Sequence, residues 1–121
     1  MSNKPHAKLV VWQKSMDFAI ELYNVTKIFP SEEKYGLSAQ LRRAAVSIPA
    51  NIAEGAARKN RRELLHFLSI AKGSISELDT ELEICWRINL INAQAHLDLS
   101  EKLDNIGKSL QGLINSLKST S

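Results

Sequence analysis

Apolar residues recur along this chain at alternating spacings of four and three, the signature of one-faced helices rather than strands. From about Val11 to Phe29, one stripe holds Val11, Phe18, Leu22, Val25 and Phe29, with Ser15 at the vacant step. A second stripe of Trp12, Met16, Ala19 and Tyr23 runs beside it. Pro30 ends the segment, because proline disfavours helical geometry in the residue before it. After a turn at Tyr35-Gly36, a second helix is predicted over about Leu37 to Arg58. Leu41, Ala45, Ile48 and Ile52 keep the same rhythm there, and Gly55 continues it. Pro49 falls mid-segment and removes one backbone hydrogen bond, to Ala45. The stripe stays in phase across it, so one helix kinked at the proline is predicted rather than two.

The third segment carries Leu64, Leu68, Ala71, Ile75, Leu78, Leu82 and Cys85, an unbroken seam of the heptad kind. Asn60 followed by Glu63 has the capping-box spacing and predicts the start. Gly73, inside this helix, is expected to mark a close helix approach, since glycine there costs about 1 kcal/mol against alanine. Asn89 to Asn92 reads as the next turn. The fourth segment runs from about Ala93 to Leu117 on Leu99, Leu103, Ile106, Leu110, Leu113 and Leu117, after which a serine- and lysine-rich tail is expected to leave the fold.

Short connections make consecutive helices antiparallel neighbours. The predicted fold is therefore all-α: an up-down-up-down four-helix bundle. A chain of 121 residues suits one domain, 1–121, with an ordered core of about 9–118 and frayed ends at Met1 to Lys8 and Ser119 to Ser121. The first helix has more apolar surface than one seam requires. Trp12, Met16 and Tyr23, with Trp86 beside the third seam, would leave an exposed patch on a monomer. A homo-oligomer is expected from it.

Candidate chemistry is sparse. Cys85, the one cysteine, lies on the apolar seam and reads as a small hydrophobe rather than a nucleophile. With no signal peptide and no apolar run of membrane-spanning length, it suits a reducing cytoplasm. Glu63 and His66 have the Glu-x-x-His spacing of di-iron bundles, but that site needs two such pairs. Glu77, Asp79, Glu81 and Glu83 alternate around the third helix and read as a solvated face. No glycine-rich phosphate loop or nucleophile motif stands out. No enzyme activity, metal or cofactor is expected.

Charge changes the picture. The net charge is +3, yet residues 40–62 carry Arg42, Arg43, Arg58, Lys59, Arg61 and Arg62 against Glu54 alone, a local balance of +5. Cations this dense make sense where a polyanion arrives. With no interleaved aromatic residue, contacts would go to phosphate rather than to bases.

The block Leu9-Val10-Val11-Trp12-Gln13-Lys14, Phe29-Pro30 with Glu33-Lys34-Tyr35-Gly36-Leu37, and above all Gln40 through Gly55, resembles a bacterial four-helix bundle family. That family was first named for proteins encoded in intervening sequences of 23S ribosomal RNA genes and is also labelled ribosomal-protein-like. The likeness continues through Phe67 to Ala71 and Gly73 to Leu78 and spans roughly residues 9–115. It implies a ring-like homopentamer and kinship with the accessory variability protein of diversity-generating retroelements, a basic, barrel-like pentamer that binds nucleic acid and partners a reverse transcriptase. The shared motif places Arg42, Arg43, Glu54 and Arg58 on this chain, with Pro49 and Gly55 shaping the second helix for subunit contact. The net charge is modest beside that relative's. The family has no established activity.

Two expectations follow. The chain is a non-catalytic oligomer binding RNA or DNA through Arg42, Arg43, Arg58, Lys59, Arg61 and Arg62, with subunit contacts at Trp12, Met16, Tyr23 and Pro49. Alternatively it is a structural or protein-interaction scaffold whose arginines pair with acids of a neighbouring subunit.

Overall fold

The computed structural model describes residues 4–119. Four helices dominate: α1 Val10–Thr26, α2 Leu37–Ala56, α3 Arg61–Arg87 and α4 Ala93–Ser119. Short 3-10 helices at Pro5–Lys8 and Ser31–Glu33 precede α1 and α2. There is no strand among the described residues. Each helix packs on the next and α4 returns to α1, with α2 and α3 the most tightly apposed pair and α1 and α4 the loosest. That is the predicted four-helix bundle. No helix among the described residues is long and apolar enough to cross a membrane.

The core is built from the predicted stripes. Leu22, Leu41, Ile48, Ile52, Leu68, Leu78, Leu82, Leu99, Leu103, Ile106, Leu110 and Cys85 are all fully buried. In α4 the fifth core position is Ile114 rather than Leu113, which is only half-buried. A straight helix has 3.6 residues per turn, so a strict heptad pattern drifts off the core within a few turns.

Helix ends follow local chemistry. α1 stops at Thr26, short of the predicted Phe29. The buried Thr26 hydroxyl donates to Leu22 O at 2.8 Å. Phe29 still turns its ring into the core from the following loop. α2 passes through Pro49 as one helix and ends at Ala56, leaving Arg58 in the turn. Asn60 Oδ1 accepts the Glu63 N–H at 2.8 Å and starts α3 as predicted. At its other end, Asn89 has a φ of 67°, where asparagine is tolerated better than most residues. Asn89 N–H bonds to Trp86 O at 3.0 Å and Leu90 N–H to Cys85 O at 2.8 Å, the two bonds of a Schellman stop. Asn92 Oδ1 then accepts the Ala95 N–H at 2.8 Å and begins α4.

Four expectations are corrected. Gly73 faces solvent with nothing near a would-be Cβ, so it marks no close approach; that role belongs to Gly55, where an added Cβ would lie 3.0 Å from Phe67 Cβ and 3.2 Å from Leu64 O. Pro5–Lys8 is not frayed: Gln13 Nε2 donates to Ala7 O at 2.8 Å, and the His6 ring packs 4.7 Å from Trp12. The serine- and lysine-rich tail stays helical to Ser119; Met1 to Asn3, Thr120 and Ser121 lie outside the described residues. Glu81 is not solvated. It is 5% exposed, between the core positions Leu78 and Leu82 and one turn before Cys85.

Candidate nucleic-acid interface

The six basic residues of segment 40–62 divide into three environments. Arg42 is a staple between helices. Its Nε donates to Thr26 Oγ1 at 2.7 Å, Nη2 to Tyr23 O at 3.4 Å, and its Cζ lies 4.6 Å over the Tyr23 ring. Two of its five N–H donors are thereby used inside the fold. Arg43 is exposed, and its charge acts on Glu81 of α3. Fifteen residues further on, about 22 Å along the helix axis, Arg58 closes the α2–α3 turn. Its Nη2 meets Glu54 Oε2 at 2.7 Å, and its Cζ lies 5.0 Å over the Phe67 ring. Lys59, Arg61 and Arg62 project from the same turn and are exposed.

Folding regroups charge that sequence order keeps apart. α1 begins, α2 ends, α3 begins and α4 ends at one end of the bundle. Lys4, Lys8, Lys72, Lys108 and Lys118 therefore join Arg58, Lys59, Arg61 and Arg62 in that half. The bundle divides near the level of the Ser47–Ser74 hydrogen bond, 2.8 Å. On one side, residues 4–17, 48–73 and 107–119 carry ten lysines and arginines against Asp17, Glu54 and Glu63, a balance of +7. The remaining described residues carry six against ten acids, a balance of −4. The molecule is an electrostatic rod with one basic end. Sequence reasoning missed Lys72 and Lys118, although the antiparallel topology it predicted already places them there.

Other groups are internally satisfied or inert. Lys102 Nζ lies 2.9 Å from Glu21 Oε1 and 3.2 Å from Asp98 Oδ2, and these hydrogen bonds raise its pKa. With Lys14 Nζ donating to Ser109 Oγ at 3.2 Å, that bridge supports the loose α1–α4 side. Burial, then the neighbouring Glu81, push the Cys85 thiol up to about 11, which favours the protonated form at neutral pH. Trp86 stacks on His96 at 4.8 Å, and His96 Nε2 lies 3.5 Å from Glu83 Oε1. No group of three metal-ligating side chains occurs among the described residues.

The subunit-contact candidates also separate. Met16, Tyr23 and Pro49 line one apolar furrow between α1 and α2, with Ala19, Ile20 and Val46. Trp12 is turned under the N-terminal 3-10 helix against His6.

The model of the 23S rRNA-intervening sequence protein family matches residues 7–112. The chain belongs to that family. A solved structure of a protein of unknown function from the S23 ribosomal protein family, from Bacteroides thetaiotaomicron VPI-5482, is similar at 30% identity with a TM-score of 0.82. The likeness covers 88% of this chain and 96% of that one. No curated protein matches the chain. The chain thus has a solved relative of the same fold.

Proposed function

We propose that this protein is a non-catalytic nucleic-acid-binding bundle of the cytoplasm that holds the sugar–phosphate backbone against its basic end. The observation that carries this reading is the separation of +7 from −4 between the two halves of one small bundle. A field so polarised steers a polyanion to one end and repels it from the other. Arg42 is ranked below the other candidate residues because its side chain is held against Thr26 and Tyr23 at the far half of the bundle. Lys59, Arg61 and Arg62 carry the contact, and Arg58, neutralised by Glu54, holds the turn.

The test is fluorescence anisotropy of a labelled 20-nucleotide RNA against salt. Wild-type affinity is expected to fall linearly on logarithmic axes, with a slope of about −0.7 per phosphate contacted. Replacing Lys59, Arg61 and Arg62 by alanine should flatten that slope by about 2 and weaken binding. No binding by the wild type at low salt, or equal binding by the variant, would defeat the reading.

A second reading, an oligomeric interaction scaffold, is favoured by the α1–α2 furrow, where Ile20 is 58% and Tyr23 42% exposed. The two readings combine in a ring of copies, where basic ends would be repeated around one axis.

A further inference from the structure

We propose that the furrow between α3 and α4 is the track along which one sugar–phosphate strand leaves the basic turn, entering between Arg62, His66 and Lys118 and running to Lys72 and Gln111. The inference rests on the nucleic-acid reading above and gives it a path.

Two depressions carry it. One, at the start of α3, is lined by Asn60, Arg62, Glu63 and His66. The next, between α3 and α4, is lined by His66, Ser69, Lys72, Gln111 and Lys118 over the floor residues Leu65 and Ile114. They adjoin at His66, which lines both, and the proposed trough runs through the two. From Asn60 to Lys72 along α3 it is about 18 Å long, at 1.5 Å per residue. Its walls offer cations, a hydroxyl and amides, all able to donate to phosphate oxygens, and Glu63 is its one acid. The proposed occupant is one strand, either free or as one edge of a duplex.

The trough also has an end. Further along α3 and α4 the next depression is lined by Ile75, Ser76, Asp79, Thr80, Leu103 and Asp104. Both of its charged side chains are acids. A polyanion is drawn along the first stretch and stopped at the second, so the same furrow sets direction and footprint. The His66 imidazole is the one aromatic ring lining the basic stretch, and the other polar groups there are phosphate donors, so contact with the backbone outweighs base readout.

The experiment uses the full chain, a labelled 12-nucleotide uridine RNA and a duplex of matched length, each titrated across salt. K72A/K118A removes two exposed cations and should flatten the slope by about 1.4 for the single strand, with weaker binding at low salt. D79K/D104K should do the opposite, binding more tightly with a steeper slope. Helix content by circular dichroism, unchanged in both variants, ties the change in slope to the surface rather than to the fold. A larger effect on the single strand identifies free RNA as the occupant; an equal effect identifies one edge of a duplex. If wild type binds and neither variant changes affinity or slope, the track is wrong while the basic-end reading stands. If wild type binds neither probe, both fail together.

Discussion

Glu81 is the residue whose environment departs furthest from what its sequence neighbours announce. Its carboxylate lies between core leucines, and Oε1 has no hydrogen-bond partner. Burial first, then the adjacent Glu77 carboxylate, raise its pKa from 4.5 to about 7, against a smaller opposing pull from Arg43. The unfolded chain releases this proton near pH 4.5 and the folded chain near pH 7. The folded state therefore holds the extra proton between those values. Stability falls as pH rises through that window and levels off above it. The full effect is on the order of 3 kcal/mol, from 1.36 kcal/mol per pKa unit. Glu81→Gln should raise the melting temperature at pH 8 and flatten the pH dependence between 4.5 and 7, as read by thermal unfolding monitored by circular dichroism. A variant less stable than wild type at pH 8 would show that the carboxylate makes favourable contacts when charged.

At the scale of elements, two glycines in neighbouring helices have opposite meanings. Gly55 sits where α2 and α3 come closest, and the atoms a Cβ would meet are Phe67 Cβ and Leu64 O, which have little room to yield. Gly55→Ala should destabilise by about 1–3 kcal/mol, as overpacking does, despite a better helix propensity. Gly73 faces open space, so Gly73→Ala should stabilise by about 0.5–1 kcal/mol. Chemical denaturation of both variants checks the pair; equal signs would contradict the assigned packing. The close α2–α3 seam also explains its polar character. Ser47 and Ser74 bond across it at 2.8 Å, and Asn51 Nδ2 donates to Ser47 O at 2.8 Å. Small side chains bring the backbones together and satisfy one another's hydroxyls where leucines would hold the helices apart.

For the whole molecule, the open question is what covers the α1–α2 furrow. Ile20, Met16, Tyr23 and Val46 are all exposed around it, a cluster of the kind monomers seldom leave bare. A second copy is the proposed occupant. Ile20→Asp should convert an assembly of several chains into a monomer by sedimentation velocity, with helix content unchanged by circular dichroism. A wild type that sediments as a monomer at micromolar concentration would remove this reading. Much of this architecture was legible beforehand. The stripes of α3 and α4, the Asn60 cap and the Asn89 turn depend on spacing and local chemistry, both readable along one dimension. The candidate site was less legible. Arg42 and Arg58 count as cations in any tally of the segment, yet Tyr23, Thr26, Glu54 and Phe67 occupy them.

Periodicity by itself determined that four amphipathic helices form and that they pair antiparallel, because a 3.6-residue repeat and short turns leave few other ways to bury those faces. The tertiary structure alone decided which charges act together. Lys118 was brought to the same depression as His66 and Lys72, Glu81 was drawn into the core, and the approach fell to Gly55 rather than Gly73. Electrostatics and packing depend on distance in space, and residues dozens of positions apart acquire that distance only when the helices close on one another.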